Sequence, residues 1–136
     1  MTKTKITFTI LGVLAVGGVL LISPFVFNGF KSVRQRRALQ NRSDYPLIAT
    51  ACVALAQTIT NESVLVSVVD SRVPALLRQL SPRYINASSN QVTLEFQGGF
   101  DHYGYKVSQS ETNPKQWTIS YYTEQGDKLL TTISHD

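Results

Sequence analysis

The sequence predicts an α+β protein in which an N-terminal single transmembrane helix is followed by a small domain. In that domain, two amphipathic helices pack on a three- to five-stranded antiparallel β-meander. Three observations support the prediction: residues 6–30 carry no charge, apolar residues then recur at helical spacing, and from residue 83 onward they alternate with polar ones. The chain divides accordingly into an anchor at 1–30, a basic collar at 31–42 and a domain at 43–136.

The anchor prediction depends on the length of the uncharged run. From Ile6 to Phe30 there are twenty-five consecutive residues without a charged side chain, and about twenty apolar residues suffice for a helix to cross the hydrocarbon core. A cleaved signal peptide is the alternative, but its apolar region spans about 7–15 residues and ends in a small-x-small cleavage site. This run is longer and ends in the bulky residues 23–28, so we expect the helix to be retained as a signal-anchor.

Charge is distributed unevenly along the chain. Residues 1–42 contain seven of the thirteen lysines and arginines and no acid, whereas residues 43–136 contain six basic and nine acidic residues. The folded part is therefore mildly acidic and lacks the basic surface that a phosphate backbone requires, so we expect no nucleic-acid partner. The lipid bilayer is the expected partner of the collar, although a collar that is merely solvated and sets topology is the simpler alternative. The candidate membrane-surface residues are Lys31, Arg34, Arg36, Arg37 and Arg42.

The orientation of the domain is predicted from the same charges. More lysine and arginine residues follow the uncharged run than precede it, and the positive-inside rule therefore favours a cytoplasmic C-terminal domain. The alternative is an exported domain, because Lys3 and Lys5 also resemble the start of an export signal. A single cysteine, Cys52, cannot form an intrachain disulfide and fits either side of the membrane.

Two amphipathic helices are predicted before the strands. The first begins at Ser43–Pro46, which offers a capping side chain and a proline in the first turn. The second follows a cap at Asp70 or Ser71 and ends at Ser81. Between them, Val64–Val69 has the β-branched composition of a short buried strand. The apolar stripe of the first helix consists of Leu47, Ile48, Ala51, Cys52, Leu55 and Ile59.

Alternation with a period of two predicts the strands of the meander. The alternating runs lie at 92–97, 103–108, 117–122 and, as a fourth, 128–133. Turn-forming residues separate or precede them at 86–90, 98–99, 111–115 and 125–127. Because one face of the alternating runs is apolar, we expect the two helices to cover that face of the sheet.

The segment 97–105, between two predicted strands, is the best candidate for a functional site. Its candidate ligand-binding residues are Gly98, Gly99, Phe100, Asp101, His102, Tyr103 and Tyr105. In one interpretation the glycines form a turn and the aromatic residues pack on the sheet. In the other, Asp101 and His102 supply polar anchors or an acid/base pair beside an aromatic wall. Adjacent side chains of an extended segment point to opposite faces, so these two would not readily act on one substrate atom.

Other motifs of catalysis or cofactor binding are missing from the sequence. The two histidines, His102 and His135, are too few for an ordinary zinc site and have no paired spacing. The lone cysteine, Cys52, lies in an apolar stripe, and no GxSxG, GxxxxGK[ST] or GxGxxG motif is present. Glu95 and Glu124 are expected to be solvated carboxylates. The sequence therefore predicts no metal, no cofactor and no catalytic residue.

Three functions are compatible with these features. The first is a single-pass membrane-anchored accessory or binding module without catalytic activity, whose ligand is a small molecule or a membrane or membrane-proximal protein. The second is a membrane-tethered hydrolase-like enzyme that uses the Asp101/His102 loop, together with Glu124. The third is a small subunit of a membrane complex that assembles through its transmembrane helix. The tether, the small domain and the missing catalytic motifs favour the first.

Overall fold

The computed structural model describes residues 15, 16, 18, 24, 26–59, 64–66, 72–98 and 101–136. Most of the predicted anchor lies outside these residues, as do the predicted caps Asp70 and Ser71 and the candidate site residues Gly99 and Phe100. Within the described ranges, no helix is long and apolar enough to cross a membrane.

Three helices and an antiparallel sheet confirm the α+β class. The helices are α1 at 26–40, α2 at Tyr45–Gln57 and α3 at Ala75–Leu80. The strands are β1 (Val64–Val66), β2 (Tyr84–Ala87), β3 (Gln91–Gly98), β4 (Asp101–Gln109), β5 (Gln116–Thr123) and β6 (Gly126–Ser134). All neighbours are antiparallel and their spatial order follows the chain. The five strands β2–β6 follow one another without an intervening helix and confirm the predicted meander, whereas β1, which precedes α3 in the chain, adds a sixth strand at the edge of the sheet.

The strand missing from the prediction is β2, where the sequence indicates a turn at 86–90. The predicted turn is wrong at its first two positions, because these residues belong to β2: Asn86 pairs with Thr93 and Ala87 pairs with Val92. Pairing with a long neighbouring strand outweighs the turn preference of asparagine. The turn itself is confined to 88–90, where the Ser88 amide donates a hydrogen bond to the carbonyl of Gln91 at 2.7 Å.

Helix α2 begins close to the predicted position but without the predicted side-chain cap. The Asp44 side chain makes no capping hydrogen bond and instead accepts two from Arg42, at 2.8 Å from Nε and 2.6 Å from Nη2. These bonds hold the pKa of the Asp44 carboxyl below its ordinary value. Proline in the first turn, where an N–H would have no helical partner, is what favours the helix start.

The core lies between the helices and one face of the sheet. Alternate residues of β2, β3 and β5 turn towards this face and are buried. Helix α2 packs across β3 to β6 and contributes Ile48, Cys52 and Leu55 from its predicted stripe, whereas Leu47 is 63% exposed. Helix α3 is shorter than predicted: it starts after Pro74 and ends at Leu80, and the next residue, Ser81, adopts a left-handed φ of 54°. Full burial of each large apolar side chain contributes about 1.5–3 kcal/mol.

Helix α1 docks on the same face of the sheet through residues of the predicted collar. Ser32 and Leu39 are each only 6% exposed, and Arg36 Nη1 donates to Asp101 Oδ2 at 2.9 Å. The Tyr105 hydroxyl donates a hydrogen bond to the carbonyl of Leu39. Because these contacts recur every three or four residues, one stripe of α1 lies against the sheet. Part of the collar is therefore a packed structural helix.

Candidate functional site

The predicted ligand-binding segment forms the end of the β3–β4 hairpin. Gly98 pairs with Asp101 as the last pair of the two strands, and residues 99–100 follow outside the described ranges. A Cβ atom at Gly98 would stand 2.5 Å from Ser32 Oγ and 2.6 Å from Tyr103 Cε1. A larger residue at this position would therefore have to displace the Ser32 and Tyr103 side chains, because α1 packs directly against the hairpin.

Asp101 and His102 lie on opposite faces of the sheet, as their extended backbone predicts. Asp101 turns towards α1 and pairs with Arg36. His102 turns to the other face, where its Nδ1 lies 3.2 Å from Glu95 Oε1 and its side chain is 69% exposed. The two side chains face different partners, so they do not form an acid/base pair that could act on one substrate.

Tyr103 and Tyr105, both candidate ligand-binding residues, lie within an aromatic cluster of the core. Each has no exposed surface. Tyr103 stacks on Phe96 with 6.2 Å between ring centroids, and Tyr105 makes edge contacts with Tyr45 at 5.9 Å and with Tyr121 at 5.8 Å. Such contacts stabilise a core beyond the area they bury. These two rings can therefore meet a ligand only if α1 leaves the sheet.

Two hydroxyls of this cluster, those of Tyr103 and Tyr121, have no hydrogen-bond partner among the described atoms. Burial raises the pKa of Tyr103 and raises that of Tyr121 to about 12, while the nearby Arg36 guanidinium opposes both shifts. Leaving a buried hydroxyl unpaired costs about 1–3 kcal/mol. Both hydroxyls therefore stay neutral at ordinary pH and lie beside α1 without contributing to its attachment.

The face of the sheet opposite the helices is open. Its side chains on β3 and β5 all remain partly or fully exposed. Strand register places one row of residues straight across this face, from Tyr84 through Glu95 and Gly104 to Tyr122. A Cβ atom at Gly104 would be 2.7 Å from the Tyr122 hydroxyl, so the Tyr122 ring lies over the glycine. Burial under this arrangement raises the pKa of Tyr122 to about 12, and the carboxylates of Glu95 and Asp127 act in the same direction.

A shallow groove runs along this open face over β2 and β3. One depression of about 280 Å³ is lined by Tyr84, Asn86, Thr93 and Glu95. A second, of about 240 Å³, shares Asn86 and Thr93 with the first, so the two form one surface. The Arg83 guanidinium lies over the Tyr84 ring, which lines the first depression, at 4.8 Å from the ring centre. We refer to these two depressions as the β2–β3 groove.

The sequence prediction did not identify the β2–β3 groove. It assigned Asn86 to a turn and treated Glu95 as an isolated solvated carboxylate. The signal that could have found the groove is the β3–β4 hairpin. Its register pairs Glu95 with Gly104 and Gln97 with His102, which makes Glu95 and His102 diagonal neighbours on the open face. Tyr84 then follows as the neighbour of Glu95 on β2.

Catalytic and metal chemistry have no further candidate in the described part of the chain. Cys52 is fully buried, and this burial raises the pKa of its thiol, which makes it a poor nucleophile. Among the described residues, no three His, Cys, Asp or Glu side chains come together in a group that could hold a metal. Comparisons with protein-family models, with curated proteins and with solved structures find no match to this chain.

Proposed function

We propose that this chain is a single-pass membrane-anchored binding module without catalytic activity, and that the β2–β3 groove is its ligand-binding surface. The observation that carries the proposal is the open face of the sheet. That face presents two tyrosines, a carboxylate and two amide- or hydroxyl-bearing side chains in adjoining rows. Aromatic rings with a few polar groups around them are the usual composition of a recognition surface.

The anchor part of the proposal is supported by the continuity of α1 with the uncharged run. Residues 26–30 belong to the run and are already helical, and α1 continues from them to residue 40 without a break. A helix that leaves the bilayer and docks on the sheet would hold the domain in a fixed position above the membrane. The excess of cations on the C-terminal side of the run supports a cytoplasmic domain.

The side chains that line the groove suit a polar ligand better than an apolar one. Its lining offers hydrogen-bond acceptors from Glu95 and both donors and acceptors from Asn86 and Thr93. The ring of Tyr84, 38% exposed, supplies the apolar contact. The groove is shallow, which suits an extended segment of a membrane-proximal protein that lies along the sheet surface.

Site-specific photo-crosslinking in intact membranes tests this proposal. We expect a photo-reactive amino acid at Thr93 to give one dominant adduct, whereas the same amino acid at Ala54, exposed on α2 on the other side of the sheet, gives none. Substituting Tyr84 and Glu95 with alanine should abolish the adduct from Thr93. Both side chains lie on the open face, so the domain should still fold, with a loss of about 1–2 kcal/mol from the contacts with Arg83 and His102. Equal labelling from Thr93 and Ala54, or labelling that survives the double substitution, would contradict the assignment of the groove.

A further inference from the structure

Helix α1 has two faces with different surroundings. The docked face carries Ser32, Arg36 and Leu39, all in contact with the sheet or with residues on it. The outward face carries apolar side chains near its start, with Phe27 at 76%, Phe30 at 73% and Val33 at 47% exposure. Nothing in the described part of the chain covers this second face.

The five cations of the collar divide between these surroundings. Arg36 pairs with Asp101, and Arg42 pairs with Asp44 at 2.6 Å. The three others, Lys31, Arg34 and Arg37, are exposed and have no carboxylate partner among the described residues. Their spacing of three residues places them along one side of the helix, which they share with Phe30 and Val33.

The order of these side chains along the axis matches a bilayer boundary. Phe27 and Phe30 lie at the end of the uncharged run, and the three free cations follow within the next two turns of the helix. Aromatic and aliphatic residues suit the acyl-chain boundary, whereas lysine and arginine suit the headgroup layer. The domain beyond the collar has a net negative charge, so the attraction to an anionic surface is concentrated on α1.

We propose that the outward face of α1 binds anionic phospholipid headgroups through Lys31, Arg34 and Arg37. This inference rests on the proposed anchor and names the lipid class that the collar contacts. Charge complementarity selects the occupant, because three unpaired cations beside an exposed apolar stripe fit an anionic leaflet. Arg36 and Arg42 have a different role, which is to hold α1 and the start of α2 on the domain.

Lipid binding by this face would also orient the domain. Ser32 lies against Gly98, and the next turn of α1 places Arg36 against Asp101, whereas Leu39 lies against Tyr105 further along β4. Helix α1 therefore follows β4 from the hairpin end of the sheet towards its other end. The end of the sheet at Gly98 is consequently the one nearest the bilayer.

Energy transfer from a single fluorophore to labelled lipids tests the inference. The full chain with Ala38→Cys is labelled at the exposed new cysteine, since Cys52 is buried. It is reconstituted into phosphatidylcholine vesicles with or without 30 mol% phosphatidylglycerol, with acceptor on one lipid or the other. We expect transfer to phosphatidylglycerol to exceed transfer to phosphatidylcholine, because each lipid site beside a free cation should favour phosphatidylglycerol over phosphatidylcholine by about fivefold. Raising the salt concentration from 0.1 to 1 M should remove the preference, because the Debye length falls from about 10 to 3 Å.

Matched variants distinguish lipid binding by this face of α1 from a general effect of the net charge of the chain. Lys31→Gln/Arg34→Gln/Arg37→Gln should abolish the preference for phosphatidylglycerol. The control Arg78→Gln/Lys115→Gln/Lys128→Gln removes the same charge from exposed positions outside α1 and should retain it. Equal transfer to both lipids in the unaltered collar, or an equal loss in both variants, would overturn the inference. Self-quenching between labelled chains would also overturn it, because a second copy would then occupy the face.

Flotation of the same vesicles distinguishes a failure of the anchor from a failure of the headgroup assignment. If the chain floats with both vesicle types but shows no lipid preference, the anchor stands and the headgroup assignment fails. If the chain floats with neither, the anchor and the headgroup assignment fail together.

Discussion

Replacing Gly104 with alanine is expected to destabilise the domain by about 3 kcal/mol or more, at the upper end of what an overpacked site costs. The added Cβ would overlap the carbonyl oxygen of Leu94 and stand 2.7 Å from the Tyr122 ring. The tyrosine ring can rotate away, but the carbonyl belongs to the backbone of β3 and cannot move without breaking the sheet. A small domain has only about 5–15 kcal/mol of stability, so this loss is a large share of the total and should lower the denaturation midpoint clearly.

Chemical denaturation of the purified full chain measures this effect. Trp117 is the single tryptophan and is only 3% exposed, so its fluorescence reports the unfolding of the sheet. Gly29→Ala is the matched control, because a Cβ at that position meets nothing within 4 Å. That control should leave the midpoint unchanged or raise it, whereas an unchanged midpoint for Gly104→Ala would refute the close approach of β3 and β4.

Replacing Tyr105 with alanine is expected to cost about 3–5 kcal/mol, the range for removing a large buried aromatic side chain. This ring lies at the centre of the aromatic cluster and contacts Tyr45, Phe96 and Tyr121. Tyr105→Phe keeps the ring and removes only the hydrogen bond to Leu39, so it should cost about 1 kcal/mol. If Tyr105 were instead an exposed ligand contact, both substitutions would leave stability nearly unchanged.

Tyr103→Phe provides the control for the hydroxyl group. Tyr103 is buried in the same cluster, but its hydroxyl has no partner among the described atoms. Its removal should therefore leave stability unchanged or raise it by about 1 kcal/mol, since an unsatisfied polar group is lost. Both phenylalanine variants can be followed by the same denaturation measurement, and an equal loss of stability in the two would refute the distinction.

Much of this fold could be predicted from periodicity. The alternating runs became β3 to β6, and the helical stripe of Ile48, Cys52 and Leu55 became the buried side of α2. The four-residue strand β2 escaped prediction because it is short and contains Asn86, a residue type that favours turns. The docking of α1 on the sheet also escaped prediction, because two of its contact residues, Ser32 and Arg36, are polar and do not continue an apolar stripe.

The candidate site was harder to predict than the fold. Composition marked 97–105 as the best candidate site, and among its described residues Gly98 lies against α1 while Tyr103 and Tyr105 pack in the core. The pairing of Glu95 with His102 depends on strand register, which composition alone does not give. The β2–β3 groove depends in turn on β2, so the missed strand concealed it.

Alkaline extraction of membranes that contain the full chain tests the central claim most directly. We predict that the chain stays in the membrane pellet at high pH, as an inserted protein does. Val16→Lys/Leu20→Lys should release it, because each lysine near the middle of the uncharged run costs about 2.5–3.5 kcal/mol of insertion free energy. Complete release of the unaltered chain into the alkaline supernatant would contradict the claim that this protein is anchored in the membrane.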